Sequence, residues 1–188
     1  GNRTFTDFTP RAILAWKPTA DLNLYASYSE GFKGGGFDPR GNFANADVRA
    51  GFLPEQVKTS ELGVKTTLFG GMATINTAAF YSDYKDVQIP GSVIVPGPPV
   101  SFVGTVTNAG AAEIYGLEVE SAWKFTDALS VNVNVGYTNA EYTKFLVAGV
   151  DVAAQRDVQN TPDWNGNVTL NYGIPAGPGR VTFSGSWS

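Results

Sequence analysis

From Leu129 to Tyr142 the chain reads LSVNVNVGYTNAEY, with Leu129, Val131, Val133, Val135 and Tyr137 alternating with Ser130, Asn132, Asn134, Gly136 and Thr138. A period of two sends successive side chains to opposite faces, so the stretch predicts a strand with one apolar and one polar surface. Asparagine is a poor strand former. A row of small uncharged polar groups opposite an unbroken apolar row fits a strand with lipid outside and a watery lumen inside. An ordinary half-buried antiparallel strand shows the same alternation, so the neighbouring stretches must separate the two readings.

Pro10 to Lys17 alternates with Ala12, Leu14 and Trp16 on one side, and Pro18 to Asp21 reads as a tight turn into Leu22 to Tyr28, where Leu22, Leu24, Ala26 and Tyr28 oppose Asn23, Tyr25 and Ser27. Gln56 to Phe69 sets Leu62, Val64 and Leu68 against Glu61, Lys65 and Thr67, and Gly70-Gly71 is a turn signal into Ala73 to Tyr84. Asp86 to Asn108 carries Pro90, Pro96, Pro98 and Pro99 and is expected to be a long connection rather than strand. Glu113 to Phe125 has an apolar row of Tyr115, Leu117, Val119, Trp123 and Phe125 against Glu118, Glu120 and Lys124. Thr126 to Ala128 turns into the strand that begins at Leu129, and Val147 to Asn160 is a further loop. Trp164 to Tyr172 and Val181 to Trp187, joined by the turn at Ile174 to Gly179, complete about eight strands in up-and-down order.

The short turns near Pro18, Gly70, Asp127 and Pro175 fall at one end and the long loops at the other. Membrane barrels sort their connections in this way. Trp16, Phe69, Trp123, Phe125 and Tyr172 lie beside the short turns, while Tyr28, Tyr81, Tyr115 and Tyr137 lie toward the loops, which predicts the two aromatic girdles of a bilayer-spanning wall. From Tyr115 to Trp123, at about 3.3 Å per residue and a tilt near 45°, a strand climbs roughly 19 Å of a ~25 Å apolar band.

Composition narrows the function classes. Among 188 residues there is neither cysteine nor histidine, which removes disulfides, thiol chemistry and the commonest general base and metal ligand. Catalysis, a resident metal and a cofactor are therefore not expected, and no EF-hand spacing occurs. The net charge of −4 without a basic run argues against nucleic acid as a partner. No apolar run reaches the ~20 residues of a membrane helix, which leaves a closed barrel as the permitted way across a bilayer.

Four stretches, LYASYSEGFKGGGF (Leu24 to Phe37), FLPEQVKTSELGVK (Phe52 to Lys65), AAFYSDYKDVQI (Ala78 to Ile89) and NAGAAEIYGLEVE (Asn108 to Glu120), closely resemble the barrel of TonB-dependent outer-membrane receptors. They follow that family's order and spacing over nearly the whole chain. The resemblance implies an all-β, transmembrane antiparallel up-and-down barrel, these eight or so strands being part of a wall of about 22. It implies the outer membrane of a Gram-negative bacterium, membrane lipid and the TonB energising complex as partners, and uptake of a scarce nutrient such as a ferric siderophore. No plug domain or coupling box occurs in residues 1 to 188, so the chain is expected to be a segment of the barrel, with the TonB contact made through the plug.

Within that frame Phe32, Lys33, Phe37, Arg40 and Phe43 of the glycine-rich loop have the chemistry to meet an aromatic or anionic siderophore. Lys65, Glu118, Glu120, Lys124, Asn132 and Asn134 are expected to face the lumen. A complete small barrel, passive or structural, and a soluble β-sandwich binding module are the competing readings.

Overall fold

The computed structural model describes residues 3–41, 49–95, 100–147 and 149–188. Among these residues nine strands form: β1 (Arg11–Thr19), β2 (Leu22–Lys33), β3 (Glu55–Leu68), β4 (Ala73–Val95), β5 (Ser101–Lys124), β6 (Leu129–Val147), β7 (Val150–Asp151), β8 (Trp164–Ala176) and β9 (Gly179–Trp187). They make one antiparallel sheet in the order β1-β2-β3-β4-β5-β6-β8-β9, with the two-residue β7 folded back onto β6. The eight expected strands are all present in up-and-down order.

Register turns the sequence alternation into two surfaces. Asn23, Lys65, Asn76, Glu120, Asn134 and Asn167 are successive cross-strand partners from β2 to β8, so one polar rung crosses the sheet. The adjacent rung, Leu24, Val64, Thr77, Val119 and Val135, points the other way. On the apolar face Leu14 is 75%, Leu62 65%, Leu170 46% and Phe183 59% exposed. Every substantial strand contact is with a hydrogen-bonded neighbour, and among the described residues no second sheet covers these rows. A half-exposed leucine or phenylalanine forgoes about 1 kcal/mol of burial, and over all the rows that approaches the ~5–15 kcal/mol of a typical fold. This face is built for an apolar medium, which removes the sandwich reading.

Short connections gather at one end. Ala20-Asp21 joins β1 to β2, and Gly177-Pro178 joins β8 to β9. Between β3 and β4 a 3-10 turn at Phe69–Gly71 holds Phe69, Gly70 and Gly71 at positive φ. Between β5 and β6 Thr126 Oγ1 accepts the N–H groups of Ala128 and Leu129 at 3.1 and 2.9 Å. Beside these turns Trp123 stacks on Phe125 at 6.2 Å and meets Phe69 at 6.4 Å, and at the loop end Tyr137 meets Trp164 at 5.0 Å. Directly beyond the tyrosine rung of Tyr28, Tyr81 and Tyr115, a rung of Glu30, Lys58, Asp83, Glu113 and Glu141 runs across five strands on the same face.

One expectation is overturned. Asp86 to Asn108 is mostly strand, not connection: β4 continues to Val95, β5 begins at Ser101, and Pro90 pairs with Val106. Beyond Lys85 β4 has lost its β3 partner and keeps a neighbour on one side only, so a proline nitrogen can face the open edge. With β5 at 24 residues, the hairpin outruns the band by about a dozen residues, or ~40 Å if extended.

Where the hairpin leaves the wall the pairing is irregular on three strands at one level. Lys85 and Asp86 stand opposite Ala111, Ala109 is extra between the Gly110 and Asn108 pairs, and Thr143 is extra between the Tyr142 and Lys144 pairs. Asp86 adopts φ 55°. Bulges of this kind bend a strand and re-aim its side chains.

Candidate functional site

The polar face is a network of short contacts. Tyr25 donates to Glu61 at 2.6 Å, Lys65 Nζ lies 5.7 Å from the centre of the Tyr25 ring, and Asn134 donates to Asn167 at 2.9 Å. Tyr25 covers Gly63, its cross-strand partner, so closely that a Cβ there would collide with the ring. Phe80 covers Gly116 in the same way, which explains an aromatic in an otherwise polar row. Lys65, Glu118, Glu120, Lys124, Asn132 and Asn134 all lie on this one face by register. They do not all meet. Glu118, Glu120 and Lys65 line a hollow with Tyr25 and Asn76, and Asn132 and Asn134 line the next one. Lys124 instead pairs with Asp127 of the turn at 2.7 Å, which holds that carboxyl below the usual carboxylate range.

At the loop end the predicted contact residues are tied to the protein itself. Lys33 Nζ pairs with Glu55 at 2.9 Å. Arg40 makes a fork on Asp38 at 3.0 and 2.8 Å, and its backbone N–H adds a third bond to the same carboxylate, which lowers the Asp38 carboxyl. The Arg40 side chain also lies against Gly104 of β5. Phe37 packs on Gly51, and Phe32 sits on β2 opposite Gln56, partly exposed. Phe43 lies outside the described residues. Phe37, against Gly51, and Arg40, on Asp38 and Gly104, thus make separate contacts, and Lys33 belongs to a further cluster with Glu55.

That cluster is organised by two residues not singled out from the sequence as site residues. Gln88 and Asn108 are cross-strand partners at the level where β3 ends. Asn108 accepts the Leu53 N–H at 2.6 Å and donates to the carbonyls of Leu53 and Asp86 at 2.7 and 2.8 Å. Gln88 donates its side-chain amide to Gly34 and Leu53 at 3.0 and 3.1 Å, and its backbone N–H to Glu55 at 2.9 Å. These side chains supply the backbone partners that the terminated strand no longer provides.

A second unanticipated feature is a groove of about 510 Å³ between the hairpin and the segment after β7, lined by Ile89, Pro90, Tyr142, Phe145, Gln155, Arg156, Asp157 and Gln159. The extra residue Thr143 puts Tyr142 and Phe145 on the same side, edge to face at 4.9 Å, although strict alternation would separate them. Arg156 lies over the Phe145 ring at 5.4 Å. Asp151 fixes the segment by accepting the N–H groups of Phe145 and Ala153 at 3.0 Å each, and these bonds lower its carboxyl pKa. The alternation of β6 carries no sign of the bulge, and Pro90 read as loop hid the facing wall.

A family model described as TonB dependent receptor-like, beta-barrel, matches residues 1–188. The chain belongs to this family. It is 29% identical over 125 residues to the pesticin receptor of Yersinia enterocolitica, covering 66% of this chain and 17% of that protein. It is 28% identical over 165 residues to the metal-pseudopaline receptor CntO of Pseudomonas aeruginosa, covering 87% and 20%. Among solved structures, the ferric yersiniabactin uptake receptor FyuA from Yersinia pestis superposes with a TM-score of 0.68 at 22% identity, over 92% of this chain and 24% of that one. The ferric preacinetobactin receptor BauA from Acinetobacter baumannii gives 0.65 at 22% identity, over 95% and 25%. The chain therefore spans about a fifth of the curated relatives' length, and its fold is the sheet of a TonB-dependent receptor barrel.

Proposed function

We propose that this chain forms part of the wall of an outer-membrane receptor in a Gram-negative bacterium, one that imports a scarce nutrient by coupling to the TonB energising complex. A ferric siderophore or similar metal chelate is the cargo this reading favours. The observation that carries it is the two-faced sheet: apolar rows exposed over one whole surface, and a polar rung crossing from β2 to β8 on the other. Support for the cargo comes from relatives named as pesticin and metal-pseudopaline receptors and from structural neighbours titled as ferric yersiniabactin and ferric preacinetobactin receptors. The family is one of receptors rather than enzymes.

In this reading further strands complete the wall. β1 and β9 each hydrogen-bond on one side only among the described residues, and unpaired edges in hydrocarbon cost several kcal/mol per orphaned group. Lys65, Glu118, Glu120, Asn132 and Asn134 face the lumen, where a plug domain elsewhere in the protein would contact them, and Lys124 faces it at the rim. Loops at the far end receive the ligand.

Uptake of iron-55 chelates by receptor-deficient Gram-negative cells, with and without the full-length protein, tests the proposal. Expected is accumulation that requires the protein and stops when an uncoupler collapses the proton gradient. Accumulation indifferent to the uncoupler would mean a passive porin, and no dependence on the protein for any chelate would end the receptor reading.

A further inference from the structure

Strict alternation leaves the register of the wall half determined. A slip of one residue between strands turns every side chain to the wrong medium, but a slip of two returns each to its own face. Short turns remove that freedom for β1–β2, β3–β4, β5–β6 and β8–β9, because a tight turn fixes the pairing of the strands it joins. The other three seams have no such turn beside the wall. β2 and β3 are joined through Gly34 to Pro54, β6 and β8 through residues 148–163, and between β4 and β5 two irregular pairings separate the wall from the hairpin tip. Closure entropy changes only slowly with loop length, so connections of this kind discriminate poorly between registers two residues apart.

We propose that three covered glycines are the register keys of these three seams, each seating the side chain of its directly opposite partner: Tyr25 on Gly63 between β2 and β3, Phe80 on Gly116 between β4 and β5, and Asn165 on Gly136 between β6 and β8. A Cβ at Gly116 would come within 2.7 Å of the Phe80 ring, and one at Gly136 within 2.9 Å of the Asn165 amide. Two residues to either side of the seats stand Glu61 and Lys65, Ile114 and Glu118, and Asn134 and Thr138. A slip of two therefore drives each covering side chain onto a position that is already filled. At Gly63 the seat is bracketed as well, since Tyr25 donates to Glu61 at 2.6 Å and the Lys65 Nζ lies 5.7 Å from the centre of its ring.

The seats fall on two successive rungs of the polar face. Tyr25, Gly63, Ala78, Glu118, Gly136 and Asn165 are successive cross-strand partners, and Phe80 with Gly116 lies on the next rung toward the loops. Among the described residues, no seam joined by a short turn has a glycine whose nearest side chain belongs to the residue directly opposite. Gly173, beside the β8–β9 turn, meets Arg180, which pairs with Pro175 instead.

Cysteine pairs on the apolar face of the full-length protein, oxidised in the outer membrane of Gram-negative cells, read the register directly, and these 188 residues bring no cysteine of their own. Ala26→Cys with Leu62→Cys reports the native β2–β3 register, Ala26→Cys with Ser60→Cys or Val64→Cys the two slips, and Leu62→Cys with Ala79→Cys the β3–β4 seam fixed by its turn. Tyr25→Ala is expected to raise the slipped products several-fold relative to the native one and to leave the β3–β4 product unchanged. Moving the seat, with Gly63→Thr and Lys65→Gly together, should make the position 26 to 64 link the majority product. Gly63→Thr alone should reduce the heat-resistant folded form in SDS gels, although threonine is the better strand former, and adding Tyr25→Ala should restore it. No rise in slipped products with Tyr25→Ala, equal slippage at the β3–β4 seam, or a Gly63→Thr loss that Tyr25→Ala fails to relieve would overturn the assignment. None of these outcomes depends on what the receptor carries, so they stand apart from the uptake assay.

Discussion

The lower wall and the loop end of this sheet are held together by different means. In the wall, from Trp123 up to Tyr115, β2 to β6 keep a regular register with one another, and side chains need only choose between two media. Above Lys85 the register breaks on three strands at one level, β3 has ended, and specific side chains, Gln88, Asn108, Asp38 and Asp151, hold backbone and charge in place. Regular pairing makes the wall insensitive to which polar residue fills a polar position. Irregular pairing makes the loop end depend on individual residues, and that dependence is what a ligand-specific surface requires.

The largest expected effect separates the two faces within the wall. Leu62→Arg places a charge in the middle of the apolar face and should destabilise the full-length barrel by about 2–4 kcal/mol, seen as lost resistance to unfolding in heated SDS gels. Asn76→Arg, in the polar rung, should leave that resistance nearly intact. Equal damage from both would mean that the two faces do not meet different media.

The next effect belongs to the loop end alone. Asn108→Leu leaves the Leu53 N–H and two carbonyls without their partner, a local cost of roughly 1–3 kcal/mol. Hydrogen exchange should accelerate at residues 50–55 and 86–89 while thermal unfolding of the wall stays put. A change spread evenly over the whole sheet would contradict the division drawn here.

The smallest effect is a pH dependence. Backbone N–H donors hold the Asp151 carboxyl below its usual value, so its contribution is complete above the ordinary carboxylate pKa of about 4. It is lost as pH falls through the lowered native value. Exchange of the Phe145 and Ala153 amides should therefore quicken on going from pH 7 to pH 3, after correction for intrinsic rates. Asp151→Asn should remove most of that difference, and a variant that keeps the full dependence would assign it to another group.

The wall was legible because hydrocarbon on one side and water on the other impose a strict period of two. Leu129 to Thr138 and Glu113 to Phe125 could be divided into rows without knowing any contact. Pro90 misled because a proline excludes a central strand but not one with an open edge, and nothing near it shows that β4 runs on past the limit of β3 at Glu55. Tyr142 and Phe145 were hidden by the bulge at Thr143, which reverses the parity that periodicity relies on. Lys33 and Arg40 stand out in the sequence by their charge, and in the fold Glu55 and Asp38 pair with them. Charge type is visible in a sequence; whether it is already paired is decided by distant residues.

The rung of Glu30, Lys58, Asp83, Glu113 and Glu141 works as a depth stop in the proposed membrane. Sinking the sheet by two residues, about 5 Å along the normal at a 45° tilt, would draw all five charged side chains toward hydrocarbon together, at up to about 1 kcal/mol for the lysine and less for each acid near the interface, and more below it. Such a sheet resists sinking where the hydrocarbon is thicker. The surrounding lipid has to compress to meet it, so each receptor would carry a ring of deformed membrane whose energy favours gathering such proteins together.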